Sequence, residues 1–261
     1  MPAFHRIGTG ANVLAGNARL AVRITGMAGL LLGCVPLYYL WRLAGTEHNP
    51  WPRRFLAGVG RVAGLRVQIR GERAGKGAFL LANHVSWMDI PALAAANGSA
   101  FVAHDGLASV PLLRRLCAMN DTVFVARHDR RSVARQIAQV RGAIRDTGAL
   151  TIFPEGTTSD GTGLLPFKSS LLSALDPLPE GIVVQPVLLD YGCEAAEVAW
   201  VGQEPGAANF RRILSRRRRL DLTVHFLPPL QGEALASRKA MAVTARDALL
   251  AELAVTQRVT L

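Results

Sequence analysis

Cysteine is scarce in this sequence, and lysine is equally rare, with three residues of each. Cys34, Cys117 and Cys193 are odd in number and too far apart to form a metal knuckle. That argues against a disulfide framework and against a structural metal, and it fits a reducing compartment in which each thiol serves as a small apolar filler. There is no internal repeat, no long low-complexity linker and no glycine-rich nucleotide loop, so no cofactor or metal is expected. Acids are in deficit, 19 against 30 basic residues, and the basic side is almost entirely arginine. The resulting net charge of +11 calls for an anionic partner: a membrane surface, a phosphorylated substrate or nucleic acid. Six arginines crowd positions 211–219, but no aromatic residues interleave with them. No helix-turn-helix, zinc or RNA-recognition signature accompanies them, so a nucleic-acid partner is not expected and a headgroup contact or solvated turn is the simpler use.

What the chain does have is apolar content. Half of its 261 residues are hydrophobic, enough for a large core. From Ile24 to Trp41 there is no charge at all, with Arg23 and Arg42 at the flanks. A helix over this stretch falls just short of a hydrocarbon core of about 30 Å. Tyr38, Tyr39 and Trp41 form an interfacial belt, and no small-x-small cleavage site follows, so a retained anchor that spans or dips into the bilayer is expected. Residues 51–65 mix Phe55, Leu56, Val59 and Val62 with Arg53, Arg54 and Arg61, the pattern of a basic amphipathic surface helix. Residues 1–64 thus form a membrane-anchoring region and residues 65–261 a single further domain. In that domain, strands are expected at 65–70, 78–82, 100–103, 122–126, 149–153, 182–189, 197–201 and 220–227. Helices are expected at 90–96, 110–118, 129–146, 168–175 and 238–253. The alternation predicts an α/β fold with a mixed, largely parallel sheet flanked by helices.

Two stretches carry chemistry. The run 78–82 delivers His84 to a strand end, the edge where α/β folds place their ligands. Asp89 follows five residues later at a helix start, close enough to fold back and accept the imidazole Nδ1–H. A substrate hydroxyl then removes the need for a protein nucleophile. The pattern alone leaves a helix N-cap beside a packed ring as the alternative. The second stretch, Phe153-Pro154-Glu155-Gly156-Thr157-Thr158-Ser159, is a strand-end loop with a glycine, an acid and three hydroxyls, suited to oxygen-rich groups. A polar turn with an Asp160-Gly161 hairpin is its alternative reading. Arg127 ends another strand and Lys168 opens a helix, both suited to anions.

Asn83-His84 with Asp89, then Val123–Arg127, then Phe153–Thr157, then Val184–Val187 resemble, in order, the four motifs of the glycerolipid acyltransferases, and in particular the 1-acyl-sn-glycerol-3-phosphate acyltransferases. The likeness covers about residues 65–230. It implies that His84 is the general base and Asp89 its orienter, and that a lysophospholipid acceptor is acylated at its free hydroxyl, sn-2 in that family. Acyl-CoA or acyl-carrier protein would be the co-substrate, on the cytoplasmic face of the inner membrane. It implies that Arg127, Glu155, Gly156 and Thr157 hold the acceptor, Glu155 by organising Arg127 or a glycerol hydroxyl, and that Val184 and Pro186 line the acyl site; Thr158 and Lys168, from their positions beside that loop, join the substrate-binding candidates. The chain departs from the pattern twice, with His104 where lysine is common and Thr158 where arginine is common. Both remove positive charge, which makes a lyso-ornithine lipid an alternative acceptor.

Overall fold

The computed structural model describes residues 10–45, 49–104, 111–125, 138, 142–144 and 148–259. Arg127, and all but four residues of the helix expected at 129–146, lie outside the described residues; Ala138 and 142–144 are helical.

Seven strands form one sheet: β1 (Leu65–Arg70), β2 (Ala78–Ala82), β3 (Ala100–His104), β4 (Val123–Val125), β5 (Ala149–Ile152), β6 (Val183–Asp190) and β7 (Leu220–Phe226), in the spatial order β1-β7-β6-β2-β5-β3-β4. Every neighbouring pair is parallel except β6 and β7. β2 and β5 are buried along their whole length, which is why both read as unbroken apolar runs rather than alternating ones. The two sides of β2 separate the core. Ala78, Leu80 and Ala82 face helix α3 (Asp89–Ala96) through Ala92, Leu93 and Ala96. Phe79 and Leu81 face the opposite layer, where Leu172 and Leu175 meet Met241 and Ala245 of the C-terminal helix Arg238–Val259. Gln185 is the buried polar tie across the middle strands. It accepts from Ala74 N–H at 2.9 Å and donates to the carbonyls of Glu72 and Leu227, both at 2.8 Å. Where the chain leaves β1, Gly71 has φ +78 and its ideal Cβ would sit 2.0 Å from the Phe226 carbonyl, so no side chain fits there.

Three expectations change. The strand expected at 197–201 is a helical turn, Ala195–Val198, which the chain leaves at Ala199; Val198 and Ala199 pack inward while Glu197 turns out to Arg216. The helix expected at 168–175 is a 3-10 helix, Ser169–Leu175. The apolar N-terminal stretch belongs to a longer helix, α1 (Gly10–Leu43), which takes in Arg19 and Arg23.

Those two arginines set the position of α1. Arg23 donates to the Leu214 carbonyl at 2.9 Å and Arg19 to that of Ser215 at 3.0 Å, capping the C-terminus of the helix Gly206–Leu214 with positive charge. Twenty residues on, the Tyr39 hydroxyl accepts from Arg115 of α4 (Pro111–Met119) at 3.1 Å. Between these points α1 packs on α2 (Trp51–Ala63), which rests on α3 and β1. α1 is therefore bonded to the α/β body at Arg19 and Arg23 in its N-terminal half and at Tyr39 near its C-terminus. The arginines expected to face headgroups or solvent near 211–219 divide: Arg212 is held by Glu204 and Arg216 by Glu194 and Glu197, while Arg217, Arg218 and Arg219 are exposed.

Candidate active site

β2 ends at Ala82, yet its pairing with β6 does not. The Asn83 side chain takes over as a substitute peptide, its Oδ1 accepting from Leu189 N–H at 2.7 Å and its Nδ2 donating to the Leu189 carbonyl at 3.1 Å. The backbone is then free to turn away from the sheet at His84, and Asp89 opens α3. Asp89 is wholly buried and points back into the turn. Its Oδ2 accepts from His84 Nδ1 at 2.7 Å, Val85 N–H at 2.7 Å and Ser86 N–H at 3.1 Å. Oδ1 accepts from the Tyr191 hydroxyl at 2.5 Å. A carboxylate with four donors is compensated for its burial. With Nδ1 committed to Asp89, Nε2 is the nitrogen left for proton transfer, and the His84 side chain is 22% exposed.

The loop after β5 holds His84 from the other side. Phe153 stacks on the imidazole with ring centres 4.1 Å apart. Ser159 donates to the His84 carbonyl through both its N–H, at 2.7 Å, and its hydroxyl, at 3.1 Å. Glu155 Oε1 accepts from the His84 N–H at 2.9 Å and Oε2 from the Leu165 N–H at 3.0 Å. Gly156 turns the loop at φ +69, a conformation that suits glycine. Burial pushes the Glu155 carboxyl up from 4.5 to about 7, against the two amides, which favour its charged form.

The residues expected to hold the acceptor are placed unevenly. Glu155 is 1% exposed, with both oxygens taken by backbone amides; it braces the histidine from beneath rather than facing an acceptor. Thr157 is exposed and Gly156 partly so. The Thr158 hydroxyl donates to the Trp200 carbonyl, and Trp200 N–H donates to that of Val85 at 2.9 Å, so the chain near 200 closes over the histidine turn. Lys168 is exposed, its backbone N–H donating to the Pro154 carbonyl at 2.8 Å. Val184 and Pro186, the residues expected to line the acyl site, lie on β6. Both are buried, and strand alternation puts them on the face opposite α3, where Val184 packs beneath the C-terminal helix. Sequence reading missed Tyr191 and Trp200, which reach the turn from the segment after β6, and the stacking role of Phe153.

Comparisons with known proteins bear on the family and the fold. Residues 65–190 match the family model described as Acyltransferase. A lyso-ornithine lipid O-acyltransferase of Rhodobacter capsulatus is 34% identical over 250 residues, covering 90% of this chain and 90% of that protein. A 1-acyl-sn-glycerol-3-phosphate acyltransferase of Neisseria meningitidis is 38% identical over 114 residues, covering 43% of this chain and 45% of that one. The crystal structure of the 1-acyl-sn-glycerophosphate (LPA) acyltransferase PlsC from Thermotoga maritima shares the fold, with TM-score 0.67 at 16% identity, over 94% of this chain and 98% of that chain.

Proposed function

The chain belongs to the acyltransferase family, as an enzyme acting on lysolipids, and from that premise we propose that it moves a fatty acyl chain from an acyl thioester to a lysolipid hydroxyl at a membrane surface, with His84 as general base. The observation that carries the reading is the buried Asp89 carboxylate 2.7 Å from His84 Nδ1. It fixes the ring so that Nε2 takes the acceptor's hydroxyl proton as the oxygen attacks the thioester carbonyl. The tetrahedral intermediate then collapses, the C–S bond breaks, and the thiolate recovers the proton from His84. The products are an ester and a free thiol.

For the acceptor, support favours a lyso-ornithine lipid. The Rhodobacter relative of that name aligns with 90% of this chain. His104 and Thr158 stand where the resembled phosphatidate-forming enzymes commonly carry lysine and arginine, and the Thr158 hydroxyl is spent on Trp200. An amino-acid headgroup needs fewer fixed cations than a phosphate. Acylation of 1-acyl-glycerol-3-phosphate at sn-2 is the second reading, favoured by the exposed Lys168 and Thr157 and by the name of the Neisseria relative.

The membrane reading rests on α1. It is long and apolar enough to cross a bilayer by length and composition, yet it is bonded to the α/β body at Arg23 and again at Tyr39, on both sides of its most apolar stretch. A helix so tethered lies along the surface with Leu32, Leu40 and Leu43 exposed toward lipid, on the cytoplasmic side where acyl thioesters are made. The test is to give the purified protein a panel of lysolipids with one labelled acyl-CoA or acyl-carrier protein and to identify the lipid that gains label. His84→Ala is expected to remain folded and vesicle-bound with transfer abolished; turnover near wild type would overturn the base assignment. Label entering only 1-acyl-glycerol-3-phosphate would select the second acceptor.

A further inference from the structure

Asp89 has two oxygens, and only one belongs to the histidine turn. The other, Oδ1, receives the Tyr191 hydroxyl at 2.5 Å, from a residue 102 positions away. Tyr191 directly follows Asp190, the last residue of β6, and its ring is 3% exposed among the core residues beneath α3. β6 is the sheet neighbour of β2, and the Asn83 clasp to Leu189 pins the two strand ends together just before both chains turn. Tyr191 thus approaches Asp89 from a rigid element, at the side opposite the imidazole. Among the described residues no other donor to Oδ1 is present, and Asp89 is fully buried. Without the phenol, one lone-pair side of a buried carboxylate would face apolar atoms.

We propose that Tyr191 is a positioning residue for acyl transfer, holding Asp89 in the rotamer that orients His84. This rests on the reading of His84 as the base. Three donors hold Oδ2; the fourth, on Oδ1, restrains the carboxyl from its other side and so the plane of the imidazole bonded to it. At 3% exposure the phenol is shielded from substrate. It is a permanent donor, since burial and the adjacent Asp89 charge push it well above the ordinary tyrosine range. The other titratable groups nearby do not replace it. Glu155 is spent on the backbone amides of His84 and Leu165, and Asp190 accepts from Gly192 N–H at 2.8 Å.

The test is a double-mutant cycle on the full chain, using labelled acyl-CoA and whichever of lyso-ornithine lipid and 1-acyl-glycerol-3-phosphate the wild type turns over. Tyr191→Phe removes one oxygen and keeps the ring, so the core packing stays filled. It is expected to lower kcat about tenfold, as loss of one charge-assisted hydrogen bond allows, with KM for acceptor and donor within about twofold of wild type. In an Asp89→Asn background the same change is expected to cost less than about twofold, because the group through which it acts is already altered. A tenfold loss that persists in that background, or a loss that follows the fall in melting temperature and disappears on cooling, would make Tyr191 a packing residue and overturn the proposal. So would wild-type kcat in the single variant. If His84→Ala itself retains full turnover, the base reading fails instead, which separates the two conclusions.

Discussion

Replacing Glu155 with glutamine should change the shape of the stability-pH curve, not merely its height. The carboxyl is 1% exposed and its value rises from 4.5 to about 7 on folding, chiefly by desolvation. Between those two values the folded protein keeps a proton that the unfolded chain releases. The group's contribution is therefore fully present below 4.5, declines as pH rises through about 7 and is constant above it. At about 1.4 kcal/mol per pH unit the whole change is about 3 kcal/mol, of which about 2.5 kcal/mol falls between about pH 5 and about pH 8. Glutamine does not titrate. It also offers only one acceptor oxygen to the two amides of His84 and Leu165, leaving one N–H against an NH2 at a cost of about 1–3 kcal/mol. Glu155→Gln is thus expected to be less stable than wild type near pH 5 and to close or reverse the gap near pH 8. At about 2–4 °C per kcal/mol for a chain of this size, the difference in melting temperature should move by about 5–10 °C across that range. Circular-dichroism melts of both proteins in one detergent, at about one-unit pH intervals, read it directly, because every other titrating group cancels in the difference. A difference constant to within about 1 °C would refute the reasoning: Glu155 would then be ionised at all these pH values, with the two amides outweighing desolvation.

Two further outcomes follow from the fold. Gln185→Leu keeps the volume but strips a donor from the Glu72 and Leu227 carbonyls and an acceptor from Ala74 N–H, and should cost about 2–4 kcal/mol in a denaturant titration. Removing both Arg19 and Arg23 as alanines should uncap the helix Gly206–Leu214 and speed hydrogen exchange in residues 213–219, while leaving exchange in β2 and β5 unchanged.

Much of the fold was legible because burial on both faces writes itself as apolar runs: β2, β5 and β6 were readable to within a residue or so of their ends. The His84–Asp89 contact was readable because a five-residue spacing across a turn is a local constraint. Tyr191 was not, since its contact depends on β6 lying beside β2, a fact of sheet order that no local pattern encodes. Glu155 shows the intermediate case. Its motif was recognisable, but whether its carboxylate faces outward or is buried depends on amides contributed by His84 and Leu165. The strand expected at 197–201 failed for a related reason: Val198 and Ala199 are buried behind a helical turn whose Glu197 faces Arg216, and a short apolar run does not distinguish such a turn from a strand. Val184 and Pro186 are apolar in any reading, and only the C-terminal helix packed on their face assigns them to the core.

The Asn83 clasp gives the histidine turn an unusual kinetic status. Loops at strand ends ordinarily fray ahead of the sheet, through low-energy openings of their own. Here the first residue after β2 is bonded through its side chain to both backbone groups of Leu189, inside the central seam of the sheet. Letting the turn open means unzipping that seam, so the turn belongs to the same cooperative unit as the core. Inactivation on heating should accordingly coincide with global unfolding instead of preceding it, and the Leu189 amide should exchange with solvent as slowly as those of the strand interiors.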